Sequence, residues 1–175
     1  MVNMQTIEDY ARKSGVSLQK EGSCQFCGSR VTGGVYQCFE IFHRIAGEAS
    51  NPNDIKASVQ LIIVDAHALQ HSEVHGVRNN NYHLLRLLGI YRHETSSRIR
   101  ANYSFLSPIL DLNNSIPYLE SPIAGDRGTL TVTDVVDSKG NSQLIETINN
   151  WGRDVFKAWG VYKEWAEEEW SRLQV

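Results

Sequence analysis

Ile55-Lys56-Ala57-Ser58-Val59-Gln60-Leu61-Ile62-Ile63-Val64-Asp65-Ala66-His67-Ala68-Leu69-Gln70-His71-Ser72-Glu73-Val74-His75 is the stretch on which the fold of this chain turns. Its apolar residues repeat at helical spacing on two sides. Ile55, Val59, Ile62, Ala66 and Leu69 line one face, while Leu61, Val64 and Ala68 line another. A helix that is apolar on two sides needs neighbours on both, so the stretch predicts a central helix from Ile55 to about His75. Between the faces runs a narrow polar strip of Lys56, Gln60, His67 and His71. Asp54, closing the turn Asn51-Pro52-Asn53-Asp54, is placed to cap the helix.

Upstream, Cys38, Ile41, Phe42, Ile45 and Ala49 share one face of a helix predicted over Gln37 to Ala49. Cys38 then points inward from the first turn, where helix-end amides favour its thiolate. His43 lies around the helix from that stripe and reads as a surface histidine. Before it comes a glycine-punctuated segment containing Cys24-Gln25-Phe26-Cys27-Gly28 and Gly33-Gly34, predicted as a tight irregular loop. Thr6 to Ser14 reads as a short amphipathic helix. Downstream, Gly76 with Asn79-Asn80-Asn81 predicts a break, after which Tyr82 to Tyr91 resumes helical spacing. Thr95 to Leu106 is expected as a further helix. Leu106 to Gly128, with Pro108, Pro117 and Pro122, is expected as a loop holding one short helix near Leu110. Thr129 to Thr133 alternates like a short strand. From Ser142 to Leu173 an apolar stripe through Ile145, Ile148, Trp151, Val155, Trp159, Tyr162, Ala166 and Trp170 predicts one long amphipathic helix. The fold class is therefore mainly α: a single-domain helical bundle over residues 1–175, with a cysteine-rich loop docked on its central helix.

The chain has 175 residues, 41% apolar and 21% charged, with a formal net charge of −3. This composition excludes a disordered chain and argues against nucleic-acid binding through bulk positive charge. The longest apolar run, Leu61 to Val64, is far short of a membrane span. The first residues carry no export pattern, so a cytoplasmic, reducing compartment is expected.

Three cysteines within fifteen residues, an odd number, point to metal before disulfides. Cys24-x-x-Cys27 with Cys38 supplies three soft ligands and leaves a tetrahedral zinc ion one short. With the helices of Cys38 and Ile55 antiparallel across a short turn, residues 66 to 71 come level with Cys38 at ~1.5 Å rise per residue. His67 and His71 stand there. The expected site is Cys24, Cys27, Cys38 and His71 around a structural zinc, with Gln70 or Asp65 supporting the ligands from behind. Two other readings stay open. One is a metal-dependent hydrolase using His67, His71 or His83 with Glu73 or Asp65 as the proton carrier. The other is a thiol redox sensor working through Cys24 and Cys27. A contact between two copies through the aromatic edge of the last helix is a further expectation.

The same residues carry a resemblance. Cys24-x-x-Cys27-Gly28, Cys38 with Phe42, Val64-Asp65-Ala66-His67-Ala68-Leu69-Gln70-His71, His83-Leu84, Leu130-Thr131-Val132-Thr133-Asp134-Val135 and Trp151-x-x-x-Val155-Phe156-x-Ala158-Trp159 follow one another in order. This succession resembles a bacterial family of uncharacterised proteins, a domain of unknown function, over roughly residues 24 to 170. Residues 1–23 then form an N-terminal extension. The resemblance implies an organisation and a site, but no activity. It also makes His83 a candidate ligand or supporting partner. Gln25, His67 and Ser72 depart from the family's usual proline, tyrosine and proline.

Overall fold

The computed structural model describes residues 4–48, 57–76, 78–92, 106 and 119–173. Eight α-helices stand among these residues, and no strand does. They are α1 (Met4–Lys13), α2 (Gly34–Glu48), α3 (Ala57–Gln70), α4 (Ser72–His75), α5 (Arg78–Arg92), α6 (Val132–Val136), α7 (Gly140–Ala158) and α8 (Lys163–Leu173). The predicted helical bundle is what the chain forms.

The helix apolar on two sides is central, as its pattern requires. α3 packs against α2, α5 and α7, while α8 covers α5 and α1 lies on α4. Ile62, Ile63, Ala66 and Leu69 of α3 meet Leu84, Leu85, Leu87 and Leu88 of α5 and Trp151, Val155 and Trp159 in and after α7, all fully buried. Each large side chain so buried contributes about 1.5–3 kcal/mol, before its share of the ordering entropy. Gly152 lets α7 approach closely, since a β-carbon there would collide with Ile62 and with the Tyr91 hydroxyl.

Several elements differ from expectation, each for a local reason. α2 begins at Gly34, three residues early, so Cys38 sits in the second turn and not among the helix-end amides. Gln37 explains the early start: its side-chain oxygen accepts the amides of Thr32 and Gly33, at 2.9 and 2.7 Å, ahead of the helix. His43 is half-buried against Phe39 and Phe42 and not a plain surface residue. The central helix does not run to His75. It stops at Gln70, because the Gln70 carbonyl accepts Arg127 Nη1 at 3.1 Å. The Val74 amide turns instead to the His71 carbonyl at 3.0 Å, and α4 starts as a separate turn.

Asn79 to Asn81 lie inside α5, where the sequence predicted a break. Asn80 Nδ2 donates to the Leu119 carbonyl and Asn81 Oδ1 accepts the Leu119 amide, both at 3.0 Å, so these asparagines serve tertiary contacts. Thr129 to Thr133 is no strand: Thr131 and Asp134 form a capping box that starts α6. The long C-terminal helix is two, α7 and α8, joined through a 3₁₀ turn over Gly160–Tyr162. Glycine at that junction is a weak helix former, and Tyr162 Oη donates to the Glu120 carbonyl at 2.7 Å. The Asn51–Asp54 turn, the Asp54 cap, Ile55 and Lys56, the Thr95–Leu106 helix apart from Leu106, and the helix near Leu110 lie outside the described residues.

Candidate metal centre

Residues 20–34 fold into a knuckle whose form follows from its glycines and backbone bonds. The Gly22 amide donates to the Thr32 carbonyl at 2.8 Å and the Gly34 amide to the Gly22 carbonyl at 2.9 Å, closing the base. At the tip, the Gly28 amide donates to the Cys24 carbonyl at 2.8 Å, a turn that Gly28 permits with φ of +73°. This places the Cys24 and Cys27 sulfurs together, facing Cys38 on α2 and His71 at the break after α3. Cys27 Sγ is 3.8 Å from Cys38 Sγ, far beyond a disulfide bond, and all three thiols are free. His71 Nε2 lies 3.3 Å from Cys24 Sγ and 3.4 Å from Cys38 Sγ. The four donor atoms all fall within 4.8 Å of one another, and their residues are buried, Cys27 being the most exposed at 7%.

The imidazole is oriented for this role. His71 Nδ1 donates to the His67 carbonyl at 2.7 Å, which leaves Nε2 with its lone pair towards the sulfurs. Hydrogen bonds from Cys27 and Cys38 hold the Cys24 thiol far below its ordinary range, and hydrogen bonds with Cys24 and Cys27 push Cys38 up. Burial pulls the His71 imidazolium down, but the neighbouring charges of Cys27 and Cys24 outweigh it and raise the group to about 10. Cys24 and His71, 3.3 Å apart, thus favour opposite charges at the cluster.

The other candidates lie elsewhere. His67 Nε2 comes to 3.9 Å from Cys38 Sγ but stays outside the four-atom group. Its ring is stacked between Phe42 and His71, each at 3.9 Å, and burial holds it neutral. His83 binds Asp65 Oδ1 through Nδ1 at 2.7 Å, and Arg86 Nε donates to Asp65 Oδ2 at 3.0 Å. Glu73 is engaged by Arg127 through both oxygens, at 2.7 and 2.5 Å. Burial raises the Glu73 carboxyl, but Arg127 more than offsets this and holds it below its ordinary value. Both acids named as proton carriers are therefore tied into ion pairs.

Nor do Asp65 or Gln70 support the ligands from behind. Gln70 Oε1 accepts Trp151 Nε1 at 3.0 Å, and its amide donates to the Leu130 carbonyl at 2.9 Å. The partner that orients His71 is the His67 main chain, four residues back. Helical spacing places that carbonyl within reach, but a main-chain acceptor leaves no mark in the sequence. Arg127 was also missed, since a lone arginine in a loop has no periodic signal.

The fold and site together define a helical protein with a buried three-cysteine, one-histidine cluster where a knuckle meets the second turn of α2 and the end of α3. Neither a curated protein nor a solved structure matches the chain. It belongs to a family of unknown function (DUF5946), whose model matches residues 22–160. Among the described residues, no helix is long and apolar enough to cross a membrane.

Proposed function

We propose that Cys24, Cys27, Cys38 and His71 bind one zinc ion, and that the ion is structural in a protein acting as a binding or scaffold module in the reducing cytoplasm. The observation that supports this reading is the spacing of the donors. Zinc with ~2.3 Å bonds to sulfur and ~2.0 Å to nitrogen defines a tetrahedron with edges of about 3.8 Å between sulfurs and about 3.5 Å from sulfur to nitrogen. The separations of 3.8, 3.3 and 3.4 Å follow those edges. Four protein ligands complete the coordination of zinc and leave no position for a substrate, which distinguishes a structural from a catalytic ion. The knuckle offers little core of its own beyond Phe26 and Val31, and the ion ties it to α2 and to the end of α3.

Metal analysis of protein purified without added metal is expected to return about one zinc per chain. Chelation is expected to lower the melting temperature sharply. Cys24→Ser and His71→Ala, each removing a buried ligand, are expected to cost about 3–5 kcal/mol and to lose the metal. Zinc that leaves without loss of fold overturns the structural role. Metal-free protein with three titratable thiols overturns the ion itself. Reversible Cys24–Cys27 disulfide formation under peroxide, with release of zinc, would make the centre a sensor.

A further inference from the structure

Where α5, the end of α7 and the start of α8 meet, the packing leaves a hole. A pocket of about 210 Å³ opens there. Leu84, Trp159 and Ala166 line it, each no more than 1% exposed, and half-buried Phe156 adds a second aromatic wall. Close-packed interiors keep few voids larger than a water molecule. An apolar cavity of ~150 Å³ already admits a benzene ring, so this one has room for the body of a small organic ligand.

The same pocket is rimmed by positive charge. Arg92 from α5, Lys157 from α7 and Lys163 from α8 are exposed residues that line it. No acidic residue lines it, and none of the three cations enters an ion pair among the described residues. In a chain of net charge −3, three uncompensated cations brought from three helices to one apolar opening set it apart from the rest of the surface. Low-dielectric walls concentrate their field at the mouth. A neutral apolar molecule would gain nothing from that field, and an ammonium would be repelled by it. A guanidinium fork matches a carboxylate in particular. Leu84 and Arg92 stand eight positions apart on α5, which is ~12 Å along the helix and comparable to an extended medium-length alkyl chain with its head group.

We propose that this pocket binds a medium-chain fatty carboxylate, with its tail on Leu84, Trp159 and Ala166 and its carboxylate among Arg92, Lys157 and Lys163. The site shares no residue with the cysteine cluster, so it goes beyond the structural ion and does not rest on it. The tail supplies burial of apolar surface, and the head supplies selection by charge.

Octanoate, octanamide and octylammonium carry similar tails and differ in the charge of the head. Each is titrated into the whole protein as purified and followed by nuclear magnetic resonance. Octanoate is expected to shift the methyl signals of Leu84 and Ala166 and the indole signal of Trp159 saturably. Octanamide is expected to bind ~10–100-fold more weakly, and octylammonium more weakly still. Lys157→Gln combined with Lys163→Gln, both changes at exposed positions, is expected to weaken octanoate by ~3–10-fold and to leave the melting temperature unchanged. Ala166→Leu, which fills the pocket from inside, is expected to abolish binding of octanoate and octanamide alike. No saturable shift at these residues, equal binding of the three heads, or a charge variant that binds octanoate as the wild type does overturns the proposal. Movement of the same signals on dilution of the protein alone, with no response to octanoate, assigns the pocket to a second copy of the chain and overturns it as well.

Discussion

Arg127 reaches the Pro122 carbonyl at 2.7 Å, the Gln70 carbonyl at 3.1 Å and both oxygens of Glu73, and it is 2% exposed. Removing it by Arg127→Ala leaves a partly buried carboxylate and a helix-end carbonyl without their donor. The expected loss is about 3–5 kcal/mol, read by urea denaturation at neutral pH. The sign of the pH dependence follows from the pair. Arg127 holds the Glu73 carboxyl below its ordinary value of 4.5, so its contribution is present above that value and lost as pH falls through the lower folded one. Glu73→Gln is expected to lower stability at pH 7 and to flatten the fall in stability on the acid side. At Gly152 the opposite change, an added methyl, is expected to cost about 1–3 kcal/mol through collision with Tyr91 and Ile62. Residue by residue, what could be read in advance was what is rare and clustered. Three cysteines and the histidine level with them come together because few residue types compete for that chemistry. Arg127 and the His67 carbonyl could not be read, since a main-chain acceptor has no signature and an isolated arginine has no period.

At the scale of elements, apolar periodicity predicts which helices exist, and single side chains decide where they stop. α3 and α7 were legible because burial repeats along them. Their ends were not, because the Gln70 carbonyl is claimed by a guanidinium that lies 57 positions away in the chain. The Thr129–Thr133 segment shows the same limit. Alternating threonine, leucine and valine mimic a strand, but Thr131 Oγ1 and the Thr131 amide both donate to Asp134 Oδ2, at 3.0 and 2.8 Å, and commit the backbone to a helix start. Thr131→Ala is expected to cost about 0.5–2 kcal/mol, and Thr131→Ser to recover most of it, measured by thermal unfolding. At the break, His71 stands at φ −129° and ψ 37°, where its Nε2 meets the sulfurs while Nδ1 keeps the His67 carbonyl four residues back.

Across the whole molecule, α1 lies ahead of the stretch matched by the family yet is built into the structure around the cluster. Ile7 and Ala11 are buried, Tyr36 Oη donates to Glu8 at 2.9 Å, and Ser14 Oγ donates to the Glu73 carbonyl at 3.0 Å. Gln25, between the two knuckle cysteines, receives the Gln19 amide at 2.6 Å and donates to the Ser17 carbonyl at 3.0 Å. Residues 17–19 are thus fastened to the tip that carries Cys24 and Cys27. Stripping the metal is expected to expose the 14–20 segment to protease before α3, α5 and α7 are cut, as followed by mass spectrometry over time. A dye attached near the amino end would then brighten or dim as the buried centre fills or empties. Through one glutamine, the filling of a centre sealed in the interior is expected to become readable at Ser17 and Gln19.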